Sequence, residues 1–186
     1  MTFDPAVIQR LTLPFRPKRW LRVTPLGLGY GKTRFASPDD KFKVLYISPA
    51  IDTGVAETLI RDRFVGKARR FITQAEVETW GVTEVEATSG LSLLDIRTTG
   101  LLQLGVATDA ARAKSHKAGR AFSARVFEQA PGVDGLLYSS RLTGGSCVVV
   151  YERAVAKLEG GPVVELSRLP QLAPALTELN VELIAP

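Results

Sequence analysis

Short apolar runs bounded by turn residues are the feature that most constrains the fold of this chain. Residues 43–48 have the sequence KVLYIS and residues 147–151 have CVVVY, and both runs are rich in β-branched or aromatic residues. Their length and composition predict strands rather than helices. Residues 82–87 and 91–96 predict two more strands, and short turns join the strands to helical segments. This order favours an α+β fold over a doubly wound α/β sheet.

Helical spacing is found in two main segments. Asp52 or Thr53 is expected to cap a helix that runs to about Phe64, because either side chain can accept the free N–H groups of a first turn. A longer amphipathic helix is predicted over residues 108–129, with Gly119 as an unfavourable residue inside it.

The length of 186 residues fits a single domain, which the sequence divides into three parts. Prolines 5, 14 and 17 predict an extended lead-in over residues 1–19, because proline lacks an N–H donor. The core is expected at about residues 20–152. A C-terminal extension over residues 153–186 carries three more prolines beyond position 169 and has no functional assignment.

The composition argues against several kinds of chemistry. The chain has one histidine, His116, and one cysteine, Cys147. A zinc site usually takes four Cys or His ligands, and an internal disulfide needs two cysteines. We therefore expect neither a metal nor a disulfide, which fits a reducing cytoplasm. The chain has no GxSxG elbow, so we do not expect a Ser-His-Asp hydrolase. It also has no long apolar run and no signal-like leader, so we expect neither a membrane span nor secretion.

The charge balance favours an anionic partner or substrate. There are 24 Lys and Arg residues against 19 Asp and Glu, which gives a net charge of +5. These basic residues are dispersed except at 16–22 and 61–70, and no helix-turn-helix, zinc-finger or RNP pattern accompanies them. We expect no direct contact with nucleic acid, although a non-enzymatic basic binding module stays an alternative.

A glycine-rich segment precedes the first candidate site residue. Glycines alternate at positions 27, 29 and 31, and Lys32 and Thr33 follow them. A P-loop requires a glycine five positions before Gly31, where the chain has Leu26. The segment therefore favours a flexible loop over a P-loop.

Four polar features lie beside predicted strands and glycines. Arg34 follows the glycine segment, and its planar guanidinium suits a diphosphate or a carboxylate. Tyr46 offers an aromatic face and a hydroxyl on its strand. Glu57 is a carboxylate on the helix that follows, and residues 138–141 form the turn YSSR.

Each feature also has an ordinary structural interpretation. Arg34 would then pair with Asp39 or Asp40 at the surface, and Tyr46 would be a core aromatic. Glu57 would be an exposed residue stabilised by the helix dipole, and the two serines would cap a turn. For each feature taken alone, this structural interpretation is favoured over a functional one.

The motifs together resemble the RES domain family, which is named after an arginine, a glutamate and a serine. The segments that carry the resemblance are, in chain order, WLRV at 20–23, RFAS at 34–37, LYIS at 45–48, AE at 56–57, LLDI at 93–96 and DGLLYSSR at 134–141. Arg34, Tyr46 and Glu57 follow one another in steps of 12 and 11 residues. The resemblance covers about residues 20–152.

The match leaves some positions open. Ala36 stands where family members often carry asparagine, so a polar contact made there is absent. Ser140 is the match to the family's serine, and Ser139 is the second choice. Either Arg22 or Arg34 corresponds to the arginine of the family's name.

The resemblance implies an ADP-ribosyltransferase-like fold, a mixed β-sheet core with flanking helices, and a toxin of a two-gene toxin–antitoxin system. Such a toxin consumes NAD⁺ as a substrate by transferring ADP-ribose to water or phosphate. The alternative is a mono-ADP-ribosyltransferase that modifies a host protein. A cognate antitoxin is expected to cover the active site in a hetero-oligomer.

The same resemblance implies roles for individual residues. Glu57 would stabilise the positive charge that develops on the ribose, as carboxylates do in glycoside hydrolysis. Arg34 and Arg22 would bind the diphosphate of NAD⁺. Because nicotinamide leaves as a neutral molecule, the reaction needs no strong general acid.

The aromatic and hydroxyl groups would complete this NAD⁺ site. Tyr46 would stack on the nicotinamide and orient it. Ser140, or Ser139 as the second choice, would bond to the ribose or to the amide. Tyr138 would lie behind the serine.

Overall fold

The structure is a computed structural model that describes residues 2–26, 33–61, 63–113 and 115–185. The strands are, in chain order, β1 (Thr12–Phe15), β2 (Trp20–Pro25), β3 (Val44–Ile47), β4 (Phe71–Thr73), β5 (Trp80–Ala87), β6 (Leu91–Asp95), β7 (Gly135–Ser139), β8 (Ser146–Tyr151), β9 (Leu158–Gly160), β10 (Val164–Glu165) and β11 (Glu182–Ile184). The α-helices are α1 (Pro5–Leu11), α2 (Ile51–Val55), α3 (Gln74–Val77), α4 (Gly100–Gln103), α5 (Asp109–Arg112), α6 (Lys117–Gln129) and α7 (Leu172–Glu178). A π-helical turn, Ala56–Ile60, continues α2, and Glu152–Lys157 and Leu166–Arg168 are 3₁₀ helices.

The strands form a mixed sheet of five, a second sheet of four and a two-stranded pair. The first sheet has the order β1-β6-β7-β8-β3, in which only β6 and β7 run parallel. In the second sheet β5 pairs with β2, β9 and β10. A single bridge between Leu21 and Ser48 connects the two sheets. The α+β class predicted from the sequence is therefore confirmed.

Apolar side chains form three clusters around the sheets. One lies between the first sheet and α6 and includes Phe35, Tyr138 and Tyr151. A second joins α2 and α7 to β2 and β5, and a third contains residues of both sheets. The C-terminal extension belongs to this core, because Leu166 and Leu176 are almost fully buried in the second cluster.

The extended lead-in predicted for residues 1–19 is wrong over its first half, where α1 forms. The carboxylate of Asp4 accepts the N–H of Ala6 and so caps the helix. Pro5 occupies the first helical position, where its missing N–H has no intrahelical partner in any case. Pro14 lies in β1, which is an edge strand and therefore tolerates proline.

The capping expected at α2 is also wrong. Ala50 precedes the helix with no side-chain cap, and Asp52 lies within the first turn. Thr53 is buried, and its hydroxyl lies 2.9 Å from that of Thr143. The helical segment ends at Ile60, before the predicted Phe64, because Arg61 leaves the helical region with φ 30.

The long helix predicted over residues 108–129 is two helices. α5 ends at Arg112, the residue after it (Ala113) has extended backbone angles, and α6 begins at Lys117. The glycine segment at 27–32 lies outside the described residues. Among the helices that the described ranges contain, none is long and apolar enough to cross a membrane.

Candidate active site

A cavity of about 390 Å³ opens between β2, β3, α2 and the segment that follows residue 32. The sequence-predicted residues that line it are Arg22, Arg34, Tyr46, Glu57 and Tyr138. The fold brings these five together from β2, β3, β7, the π-helical turn and a loop. The two serines of the YSSR turn are not among the lining residues.

Ser140 contacts Glu57 directly. Its hydroxyl donates to Glu57 Oε1 at 2.7 Å and accepts the N–H groups of Leu142 and Thr143 at 3.1 and 3.2 Å. Because the two N–H groups occupy the oxygen's lone pairs, the hydroxyl proton is directed at the carboxylate. In this structure Ser140 orients Glu57, whereas the sequence assigned it a contact with substrate.

Ser139 is placed differently from Ser140. It is half-buried at the end of β7, opposite Ser146 of β8. β7 ends at Ser139, whereas Ser140 lies just beyond the strand, where its hydroxyl contacts Glu57. The match of Ser140 to the family's serine stays a prediction.

Arg34 is a buried residue, only 5% exposed. Its Nη1 donates to the carbonyl of Ala113, just beyond α5. Asp39, one of the two surface partners considered from the sequence, instead pairs with Lys41 at 2.8 Å. Burial, and secondly the charge of Arg61, lower the pKa of Arg34. The guanidinium is thus fixed at the cavity wall by the protein's own backbone.

Tyr46 holds the segment that carries Arg34. Its hydroxyl accepts hydrogen bonds from the Thr33 hydroxyl and from the Phe35 N–H, each at 2.9 Å. Burial raises the pKa of Tyr46 to about 12, so the phenol stays neutral at physiological pH. Tyr138 packs edge-on against Phe35, with ring centroids 5.1 Å apart, and burial also raises its pKa.

Arg61 also lines the cavity, and the sequence interpretation did not identify it. Its Nη2 lies 2.8 Å from Nε2 of His116, the histidine that the sequence interpretation considered only for a zinc site and a hydrolase triad. One sequence signal was available, since Arg61 follows Glu57 by four residues and this spacing places two side chains on one helix face.

The cavity walls combine cationic and apolar groups. Of the described residues, four basic ones line it, namely Arg22, Arg34, Lys43 and Arg61, against the two carboxylates of Asp40 and Glu57. Within the described ranges, no group of three or more His, Cys, Asp or Glu residues is arranged to hold a metal ion. A cavity of this kind suits an anionic ligand that also has apolar surface.

Comparison with solved structures finds a chain of similar fold. The M. tuberculosis MbcT–MbcA toxin–antitoxin complex contains a chain that matches with a TM-score of 0.68 at 16% identity. The match covers 95% of the present chain and 98% of the other. The two chains therefore share a fold.

The chain belongs to the RES domain family, whose model matches residues 9–170. A relative from Sinorhizobium fredii (strain NBRC 101917 / NGR234), named "Probable toxin y4kH", is 33% identical over 129 residues. That alignment covers 67% of this chain and 100% of the relative. The family predicted from the order of motifs is therefore confirmed.

Proposed function

We propose that this protein is the toxin of a toxin–antitoxin pair and that it cleaves the nicotinamide–ribose bond of NAD⁺. ADP-ribose would pass to water or phosphate, which depletes the NAD⁺ of the cytoplasm. The observation that carries the proposal is Glu57, which Ser140 orients at the wall of a cationic cavity. Membership of the RES domain family supports it.

The chemistry requires little from the protein beyond charge and position. Loss of neutral nicotinamide leaves positive charge on the anomeric carbon and ring oxygen of the ribose, as in glycoside hydrolysis. A preorganised carboxylate stabilises that charge more in the transition state than in the ground state. Glu57 supplies this group, and the attacking oxygen of water or phosphate then bonds to the anomeric carbon.

The remaining lining residues fit the other parts of NAD⁺. The guanidinium of Arg34 and the half-buried Arg22 provide positive charge for the diphosphate. Tyr46 and Trp80 provide aromatic surface for the rings. In this proposal the hydroxyl of Tyr46 positions the Arg34 segment, while its ring faces the substrate.

An antitoxin is the partner that the comparisons favour. The structurally similar chain comes from the M. tuberculosis MbcT–MbcA toxin–antitoxin complex. We infer that a cognate antitoxin covers the mouth of the cavity here as well, because an unrestrained NAD⁺-consuming enzyme would harm its own cell.

The first experiment measures NAD⁺ turnover by the purified protein with NMR and mass spectrometry, with and without phosphate and in whole-cell lysate. Rapid loss of NAD⁺ with free ADP-ribose or its phosphate ester is expected. Slow loss with an ADP-ribosyl mass gain on a lysate protein would instead assign the alternative activity on a host protein. No consumption in any condition would overturn the proposed reaction.

Glu57→Gln is the variant that tests the role of the carboxylate. The amide keeps the shape but loses the charge, so kcat should fall by roughly 100-fold or more while binding of ADP-ribose persists. Calorimetry with ADP-ribose checks the second half of this expectation. Unchanged NAD⁺ consumption by Glu57→Gln would remove Glu57 from the mechanism.

A further inference from the structure

Arg61 has a backbone conformation that an arginine rarely adopts. Its φ of 30 and ψ of −120 lie in the region used by the first central residue of a type II′ turn, where glycine is normal. The residue directly follows the π-helical turn, and its N–H donates to the carbonyl of Ala56 at 2.7 Å. Strained residues and π-helical turns concentrate at functional sites, so the side chain at this position calls for an explanation.

The guanidinium of Arg61 is held at the cavity by His116. Nη2 of Arg61 lies 2.8 Å from Nε2 of the imidazole. Because a guanidinium only donates hydrogen bonds, Nε2 must accept, and the imidazole is neutral with its proton on Nδ1. A neutral acceptor orients Arg61 without cancelling its charge.

The connection between α5 and α6 also holds Arg34. Residues 113–116 separate α5 from α6, and Ala113 at the end of α5 has extended backbone angles. An uninterrupted helix would pair the carbonyl of Ala113 with the N–H four residues later. The break leaves that carbonyl for Nη1 of Arg34 and places His116 against Arg61. Ala113 just after α5 and His116 before α6 therefore position both guanidiniums.

The two guanidiniums are close enough to affect each other. The charge of Arg61 is, after burial, the second cause of the lowered pKa of Arg34. Glu57 opposes this effect only in part. Two neighbouring cations whose charge Glu57 offsets only in part favour an anion with more than one negative charge.

We propose that Arg61 binds a phosphate of the substrate and that His116 is a positioning residue for its guanidinium. This inference rests on the proposed function, because the diphosphate of NAD⁺ supplies the anion. It adds a phosphate-binding residue to those that the family resemblance implied.

Arg61→Gly and Arg61→Ala separate the side chain from the backbone. Both remove the guanidinium, so both should weaken ADP-ribose binding by roughly 10- to 100-fold, measured by calorimetry. Glycine accepts the backbone conformation and alanine does not, so Arg61→Gly should melt at a higher temperature than Arg61→Ala. Weaker binding in both variants, despite their different melting temperatures, would assign the loss to the side chain.

Arg19→Gly is the matched control. Arg19 also has a positive φ, of 55, and it pairs with Glu84 at the surface without lining the cavity. Its replacement removes one positive charge and one positive-φ arginine, as at Arg61. ADP-ribose affinity and the KM for NAD⁺ should remain at their wild-type values.

His116→Leu and His116→Gln test the positioning role. Leucine removes the acceptor for Arg61, so KM for NAD⁺ should rise several-fold while kcat changes little. Glutamine offers a carbonyl oxygen in place of Nε2 and should restore most of the affinity. A structural role alone would lower the melting temperature of both variants without this split between kcat and KM.

The outcomes separate this inference from the proposed function. Wild-type affinity for ADP-ribose in Arg61→Gly and Arg61→Ala would overturn the role of Arg61. Equal KM values in His116→Leu and the wild type would overturn that of His116. If the wild-type protein neither consumes NAD⁺ nor binds ADP-ribose, the proposed function and this inference both fail.

Discussion

At the scale of single residues, Ser140 and Glu57 act as one unit. Two backbone N–H groups of the following turn bond to the serine oxygen, and the remaining proton goes to the carboxylate. Glu57 is thus oriented before substrate arrives, which is the condition under which a charged group lowers a reaction barrier most. Ser140 therefore acts through Glu57 and is a positioning residue.

Ser140→Ala tests this arrangement. Loss of the hydroxyl frees the carboxylate, so kcat for NAD⁺ should fall by about 10-fold or more with a smaller change in KM. The N–H groups of exposed Leu142 and half-buried Thr143 also lose their acceptor, which should cost about 1 kcal/mol of stability in urea denaturation because water can replace the lost partner only in part. Ser140→Thr keeps the hydroxyl and should recover part of the rate.

Ser139→Ala is the control for that variant. Ser139 is the neighbouring residue, and it lies in β7 opposite Ser146. Its kcat, KM and denaturation midpoint should stay near those of the wild type. Equal loss of rate in the two alanine variants would contradict the assignment of Ser140.

Sequence could predict the site residues that belong to ordered motifs, and could not predict their partners. Arg34, Tyr46 and Glu57 follow one another at fixed steps, so a family resemblance identified them. Arg61 and His116 are 55 positions apart and meet only because the chain breaks before α6. A contact of this kind depends on tertiary structure and leaves no local pattern.

At the scale of elements, composition predicted the strands better than the helix ends. β3, β5, β6 and β8 were recognisable because their residues are β-branched or alternate in polarity. The predicted helix boundaries were wrong where tertiary contacts decide them. Thr53, for example, forms a hydrogen bond with Thr143 instead of capping α2. The two-stranded pair of β4 and β11 has too few residues to show any pattern.

Gly119 in α6 illustrates a conflict between propensity and packing. Alanine is the better helix former by about 1 kcal/mol, so propensity alone predicts that Gly119→Ala is stabilising. A β-carbon at this position would lie 2.7 Å from the carbonyl oxygens of Ala110 and Arg34 and from Arg34 Cγ. Two of these contacts are backbone atoms, so α6 or the Arg34 segment must move.

We therefore expect Gly119→Ala to lose about 1–3 kcal/mol of stability, as overpacked cores do, and to show a raised KM for NAD⁺. Thermal denaturation and steady-state kinetics measure the two effects. Gly132→Ala is the matched control, since a β-carbon at Gly132 meets no atom within 4 Å. A higher melting temperature for Gly119→Ala would show that propensity outweighs the close approach.

At the scale of the whole molecule, the cavity lies beside a core that buries several ionisable groups in their neutral forms. Burial raises the pKa of Tyr46 to about 12 and, together with the charge of Glu57, that of Cys147 from 9.0 to about 12. Burial likewise raises the pKa of Tyr138 and Tyr151. These groups favour the folded state only while they keep their protons.

Stability should therefore decline on the alkaline side. Cys147 ionises near pH 9 when the chain is unfolded and near pH 12 when it is folded, so its contribution is complete below pH 9 and is lost as the pH rises toward 12. Each such group lowers the free energy of unfolding by about 1.4 kcal/mol per pH unit within its window. For Tyr46 the window opens near pH 10, its ordinary pKa. Urea denaturation at pH 8, 9, 10 and 11 should show that the free energy of unfolding falls more steeply with pH above pH 10.

Cys147→Ala should be less stable than the wild type at pH 8 because it leaves a small cavity, yet it should lose less stability than the wild type between pH 9 and 10. Parallel curves for the two proteins across that interval would mean that the thiol is not held in its neutral form by burial.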